Sequence, residues 1–481
     1  MYQLILHSLA RLTITLLLLT IAHAAFAQSL DSLPSDFPLV HAAVDSSQKN
    51  FQTETGAILL ANFSFRGTPQ SGFYLMILQP NGTPIFYRKM PAACIDLKVQ
   101  PNGLLTYMDE STYRFYALDT NYNVVDSFYC GNSVRTDTHD LEILPNGHAL
   151  LLGVDSEIID MSALLPGGNS AATVIGNRVQ EIDENKKVVF DWNGFDHFSI
   201  TDCTGVDLTA PEIDFEHSNA VQLDTDGTII MSSRHLDEVT KINRTTGNIV
   251  WRWGGAHNMF TMIGDTIGFS HQHDPRRIAN GNITLFDNGN LHSPPFSRAL
   301  EFKLDEKNMT ATKVWEYEQD SATFSFAMGN VQRLDNGNTF IGWGSQSSPA
   351  ATEVTPDGKK VYEMGFSANN SSYRAYRQQW KTSQSPLTVS LSQTLGFNVL
   401  QNYPNPFSGS TLIYFTLDHQ GPVELAIYDE LGRKVETVAQ GSYGVGTHSI
   451  AFNSANLNNG VYFATLNDHA SVRATRMVVA K

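Results

Sequence analysis

From Gly56 to Phe366 apolar and polar positions alternate in short runs separated by Gly, Asn and Asp clusters, and helical periodicity is nearly absent. Such runs predict strands joined by tight turns. One phrase recurs: a polar, often histidine-bearing start, an aliphatic stretch, Asn-Gly or Asp-Gly, then a second apolar run. It reads HDLEILPNGHALLLG from His139, HSNAVQLDTDGTIIMSS from His217, HDPRRIANGNITLFDNG from His273 and MGNVQRLDNGNTFIGWG from Met328. A weaker copy, CIDLKVQPNGLLTYMD, starts at Cys94. Each copy reads as an inner hairpin, because Asn-Gly suits the left-handed turn conformations that reverse a strand.

A second hairpin type alternates with the first and ends on an aromatic strand. Its copies are ILQPNGTPIFY at Ile77, ALDTNYNVVDSFY at Ala117, EIDENKKVVFDW at Glu181, KINRTTGNIVWRW at Lys241, FKLDEKNMTATKVWEY at Phe302 and EVTPDGKKVYEM at Glu353. Six outer hairpins, each preceded by an inner one, make six four-stranded units, with AILLANF at Ala57 in the first inner pair. Units of this size predict an all-β chain whose residues 28–381 form a six-bladed β-propeller. Phe86, Trp192, Trp251 and Trp315 are expected between blades. Two Gly/Pro-punctuated stretches, from Glu157 to Asn177 and from Thr201 to Glu216, are expected to be loops at the blade ends. A Ser/Thr/Gln-rich linker, 382–396, then leads to residues 397–481, whose period-2 alternation predicts a small antiparallel β-sandwich.

The 481 residues carry a formal net charge of -16, with charged residues only 17% of the total. That argues against a general polyanion-binding surface, nucleic acid included, and leaves room for local basic pockets. Arg11, the apolar run from Leu12 to Ala22 and the small residues ending Ala25-Phe26-Ala27 have the form of a signal peptide over residues 1–27. The run is short for a bilayer span, so an exported, soluble mature protein is expected, with a retained anchor as the alternative. Cys94, Cys130 and Cys203 show no CxxC spacing and cannot form a disulfide framework or a thiolate metal site. One bridge, Cys94 to Cys130, and buried free thiols both remain open.

On a radial repeat, equivalent positions of the innermost strands face one axis. His139, His217 and His273 share a register and should meet there, with His271 beside them and Asp140, Asn219 and Asp274 close by. A lone histidine is more often packed or on the surface; three in one register point to acid–base or nucleophilic chemistry. The catalytic candidates are therefore His217, His273 and His139, and the substrate-binding candidates are Asn219, Arg298, Arg234, His271 and Asn330. An arginine fork suits a tetrahedral oxyanion, and Arg276 and Arg277 are further possibilities; the competing reading for each is an ordinary ion pair. No Walker loop, dinucleotide Gly fingerprint, GxSxG elbow or HExxH helix occurs.

Two resemblances add to this reading. NYPNPF at Asn402, IYDELGRKV, NNGVYF and the basic last strand resemble the C-terminal sorting domain of type IX secretion in the Bacteroidetes. That implies an address read by the export machinery of the outer membrane, and a destination at the cell surface or outside it. The run EHSNAVQLDTDGTIIMSSRHLDEVTKINRTTGNIVWRWGG, then FSHQHDPRRIANGNITLFDNGN and SRALEFKLDEKNMTATKVWEY, resembles the bacterial arylsulfotransferase family. Its members are propellers that move a sulfuryl group from a phenolic sulfate ester to a phenol acceptor without a nucleotide sulfate donor, metal or other cofactor. The resemblance sets His217 and Asn219 on the HxNS motif, His273 on the TQH motif, and Arg298 on the arginine before an outer strand. Two departures stand out. Asn290-Leu291-His292 follows FDNG where the family has a sulfate-site arginine, and Gly344 to Pro349 contains no histidine where the transiently sulfated one is expected. Either His217, His273 or His139 would then act as nucleophile in a ping-pong scheme, or the chain is a diverged member with altered chemistry.

Two other readings compete. A non-catalytic secreted propeller could bind a sulfated or phenolic ligand, or His139, His217 and His273 could hold a metal for hydrolase or lyase chemistry.

Overall fold

The computed structural model describes residues 33–44, 56–64, 71–319, 323–367, 369–380 and, apart from 404, 406, 418, 445, 469 and 470, residues 400–481. The expected signal peptide and the linker 382–396 lie outside the described residues.

The fold is all-β. Residues 40–378 form six consecutive sheets of four or five strands. The inner strands of five of them are Cys94–Val99, Arg135–Ile143, Ser218–Leu223, His273–Arg277 and Asn330–Arg333. Three further strands follow each of these outward in antiparallel order, as the two alternating hairpins predict.

The first sheet keeps Ala57–Phe63 in its inner pair, as expected, but is completed from elsewhere in the chain. Ala57–Phe63 is its second strand, and the innermost position is taken by Ser371–Gln378 from the far end of the region, with Leu59 opposite Tyr376. Val40–Val44 in turn pairs with Lys360–Phe366 at the outer edge of the sixth sheet. Each exchange covers a strand edge that would otherwise expose unpaired backbone groups. The inner strands neighbour one another in chain order, and Ser371–Gln378 touches both Cys94–Val99 and Asn330–Arg333.

The repeated Asn-Gly and Asp-Gly turns share one construction. Gly147 (φ 86°) and Gly227 (φ 84°) take the left-handed conformation while the preceding Asn146 and Asp226 do not. Instead, the side chains of Asn146 and Asp226 accept from the amides of His148 and Thr228, each at 3.1 Å. The aromatics lie where sheets adjoin. Phe86 stacks on Tyr122 at 3.8 Å, Trp192 donates to the Gly247 carbonyl, and Trp315 donates to that of Pro356. Trp251 is fully buried.

The stretch from Glu157 to Asn177 is mostly not a loop. Ala149–Ile159 and Ala172–Ile182 pair without interruption from Ala149↔Ile182 to Ile159↔Ala172, so the hairpin projects beyond its sheet. The second stretch is irregular except at Glu212–Asp214, which runs parallel to this arm through Ile175↔Asp214. All three cysteines are free thiols, and Cys94 and Cys130 are buried.

Residues 400–481 form sheets of three and four strands that share a core of their own, including Ile413, Phe415, Leu425, Ile427, Leu466 and Met477.

Candidate active site

Bulges set the direction of the site residues. In Ser218–Leu223 the pairing jumps from Ser218↔Ser233 to Ala220↔Ser232, leaving Asn219 unopposed. In His273–Arg277 it jumps from His273↔Phe286 to Arg276↔Thr284. A similar shift accompanies His139 and Asp140. An extra residue re-aims the side chains around it. His217 (φ 50°) and Asp274 (φ 52°) also occupy left-handed backbone conformations, each costing about 1 kcal/mol or more that surrounding contacts must offset.

These distortions gather the three register histidines. The ring of His139 lies 4.9 Å from His217 and 6.4 Å from His273, centroid to centroid. The row continues through a histidine that sequence reasoning missed. His235 is 4.8 Å from His217, and His271 is 5.7 Å from His235. The signal for His235 was its place beside Arg234 in SSRH, where the partner strand of the His217 hairpin ends.

Each register histidine has its Nδ1 fixed. His139 donates to Asp137 and His217 to Asp214, both at 2.5 Å, and His273 donates to the Gly329 carbonyl at 2.7 Å. Their environments separate their protonation states. Burial opposes charge on His139, but Asp137 outweighs it and raises the imidazole above its ordinary value. At His217 burial outweighs Asp214 and holds the ring below that value. Burial, helped by the charges of Arg374 and His139, holds His273 far lower. Asp137 and Asp214 stay ionised. The His217 side chain is 31% exposed and that of His139 19%, whereas His273 is almost completely buried with Nε2 lacking a hydrogen-bond partner.

The substrate-binding candidates divide. Arg234 adjoins the histidines: Nη1 donates to His235 Nε2 at 2.7 Å and Nη2 to the Phe326 carbonyl at 2.9 Å, and among the described residues it pairs with no carboxylate. Burial lowers it to about 10, still cationic at neutral pH. His271 lies 3.2 Å from Asp237 at the end of the row. Asn219 donates to the Gln272 carbonyl at 2.8 Å and keeps a buried, unpartnered Oδ1.

Arg298 and Asn330 depart from expectation. Arg298 is buried among Asp287, Asp265 and Glu316 and also donates to the Gly268 carbonyl. Its fork is fully engaged, so it serves as an ion-pair partner within its sheet. Asn330 gives both amide groups to the backbone of Ala375 and stitches the sixth sheet to the first. Arg276 and Arg277 are likewise held, by Asp140 and Asp274 and by Asp224 and Glu306.

Asp214, His217 and His235 are the one group among the described residues that could offer a metal three ligand atoms within 4.8 Å of one another. His235 gives Nδ1 to the Asp214 carbonyl and Nε2 to Arg234, whose charge opposes a cation there.

A row of paired histidines beside an arginine with no carboxylate partner among the described residues offers the groups that acid–base and transfer chemistry on an anion requires. Residues 76–377 match the arylsulfotransferase (ASST) family, to which the chain belongs. Residues 401–480 match the secretion system C-terminal sorting domain. Arylsulfate sulfotransferase AssT of Escherichia coli O6:H1 is 23% identical over 318 residues, 52% of this chain and 51% of that protein. The chain thus matches about half the length of that curated relative. Among solved structures, a Bacteroides caccae protein of unknown function aligns with TM-score 0.41 at 12% identity, over 67% of this chain and 98% of its own. Virginiamycin B lyase of Staphylococcus aureus aligns with TM-score 0.35 at 8% identity, over 68% and 88%.

Proposed function

We propose that the chain is a secreted aryl-sulfate sulfotransferase whose six sheets are the blades of a β-propeller around the histidine row. The carrying observation is that His139 and His217, 4.9 Å apart, sit on separate carboxylates and are pushed in opposite directions, His139 towards the charged form and His217 towards the neutral one. A charged and a neutral imidazole side by side are an acid and a nucleophile.

In the first step the Nε2 lone pair of His217 attacks sulfur. The bond from sulfur to the aryl oxygen breaks, and protonated His139 gives its proton to the departing phenolate. Asp214 holds the His217 ring and stabilises the charge it acquires. Arg234 donates to the sulfuryl oxygens, supported by Asn219 and His271 as polar neighbours. In the second step neutral His139 takes the proton of an acceptor phenol. The phenolate oxygen attacks sulfur, the nitrogen–sulfur bond breaks, and His217 is regenerated. His273, buried and held far below its ordinary value by burial, is the neutral neighbour of His139. The sorting domain supports delivery by type IX secretion to the surface or beyond.

Incubation with 4-nitrophenyl sulfate and phenol tests the reading. Acceptor-dependent nitrophenol release, parallel initial-rate plots and sulfated His217 in acid-free peptide mapping are expected. Intersecting plots with unmodified His217 would remove the two-step scheme, and absence of transfer would leave ligand binding without chemistry.

A further inference from the structure

Directly beneath the histidines lies a fully buried guanidinium that the scheme above does not use. Arg374 belongs to Ser371–Gln378, the strand that completes the first sheet from the far end of the region. Its Nη1 lies 2.9 Å from Asp96 and 3.3 Å from Asp140. Its Nη2 lies 3.3 Å from Asp274 and donates to the Asn219 carbonyl at 2.7 Å. Asp140 follows His139, Asp274 follows His273, and Asn219 comes two residues after His217. One side chain therefore grips the backbone or side chain next to each register histidine, on three different sheets.

The neighbouring residue completes the arrangement. Tyr373 packs edge-on between His273, at 5.1 Å, and His139, at 6.0 Å, and its hydroxyl donates to the His139 carbonyl at 2.9 Å. The charges around Arg374 balance: Lys98 bridges Asp96 and Asp140, and Arg276 bridges Asp140 and Asp274. Three cations and three carboxylates make a closed network in which removal of any one leaves a buried charge unpaired.

We infer that Arg374 is a positioning residue, with Tyr373 as its spacer, that fixes the mutual placement of His139, His217 and His273. The mechanistic part rests on the sulfotransferase reading; the placement does not. A bidentate fork spanning three sheets holds geometry that an ammonium cannot, because lysine offers a point charge without fixed directions. Displacement of reacting groups by about 1 Å costs on the order of 100-fold in rate.

The test compares Arg374→Lys, Arg374→Gln paired with Asp274→Asn, and Tyr373→Phe in the full chain. Thermal unfolding establishes that each is folded, and NMR contacts between the rings of His139, His217 and His273 follow their placement. Arg374→Lys should lower kcat about 100-fold with the donor KM within about threefold. In the charge-balanced double variant the contacts among the rings of His139, His217 and His273 should change, because the fork that joins their neighbours is gone. Tyr373→Phe, which keeps the ring, should fold and lose less activity than Arg374→Lys. If the folded lysine variant keeps wild-type kcat, or the three rings keep their wild-type contacts in the double variant, the assignment is wrong. If the wild-type chain transfers no sulfuryl group, the NMR arm still decides the positioning role, so the two failures are distinguishable.

Discussion

His273 and Gly329 belong to adjacent sheets, and the imidazole gives its Nδ1 proton to the glycine carbonyl at 2.7 Å. A carbonyl fixes the tautomer without supplying negative charge. His139 and His217 have carboxylates in that place, so three histidines of one register hold three different affinities for a proton.

Activity should follow a broad bell in pH. The acid limb, where His217 gains a proton, should lie below the ordinary histidine value, and the alkaline limb, where His139 loses one, above it. Asp137→Asn removes the charge that raises His139, so the alkaline limb should move to lower pH. A kcat profile in which that limb stays in place would show that another group supplies the proton.

Arg234 and Arg298, both substrate-binding candidates in the sequence, should respond differently to substitution. Arg234→Lys should raise the half-saturation concentration for the sulfate ester while leaving stability within about 0.5 kcal/mol, since no carboxylate is orphaned. Arg298→Met should cost roughly 3–5 kcal/mol in denaturant unfolding, because it strands the buried Asp287 and Asp265.

Glu216 should limit stability in alkali. It is fully buried, and burial, with the nearby charges of Asp214 and Glu238, raises it to about 8. The folded chain therefore keeps a proton that the unfolded chain releases near pH 4.5. Stability contributed by this group is present below that pH, declines as pH rises towards about 8, and stays low above it. Glu216→Gln should recover up to about 4–5 kcal/mol at pH 9 and little at pH 4. Equal effects at both values would mean that Glu216 is ionised in the folded state.

Deleting residues 397–481 should leave the six sheets folded, because the C-terminal sheets bury a separate set of side chains. An unchanged melting transition checks this; its loss would mean the two cores depend on each other. The native host should retain the truncated chain inside.

Much of the site was legible because the repeat carried it. His139, His217 and His273 stood in one register, and the structure brings their rings together. Arg298 was misleading for a physical reason: Asp265, Asp287 and Glu316 lie far apart in sequence, and only the folded fifth sheet shows that they surround it. Tyr373 and Arg374 escaped notice because SSYRAYRQ follows the last aromatic hairpin and has no Asn-Gly turn. A strand that completes a sheet begun three hundred residues earlier leaves no local signature. The stretch from Glu157 to Asn177 reads as a loop because Gly167 and Gly168 punctuate it, yet they fall in the turn of the arm.

The strand Ser371–Gln378 also imposes an order of events. Synthesis delivers His139, His217 and His273 well before Tyr373 and Arg374, so a chain halted anywhere short of residue 371 holds its reactive side chains without the wedge and the fork between them. The final strand thus completes the proposed site just ahead of residues 401–480, which match a secretion sorting domain. On the proposed reading, a chain truncated before residue 371 would lack both the fork that positions the histidines and the segment that addresses it for export.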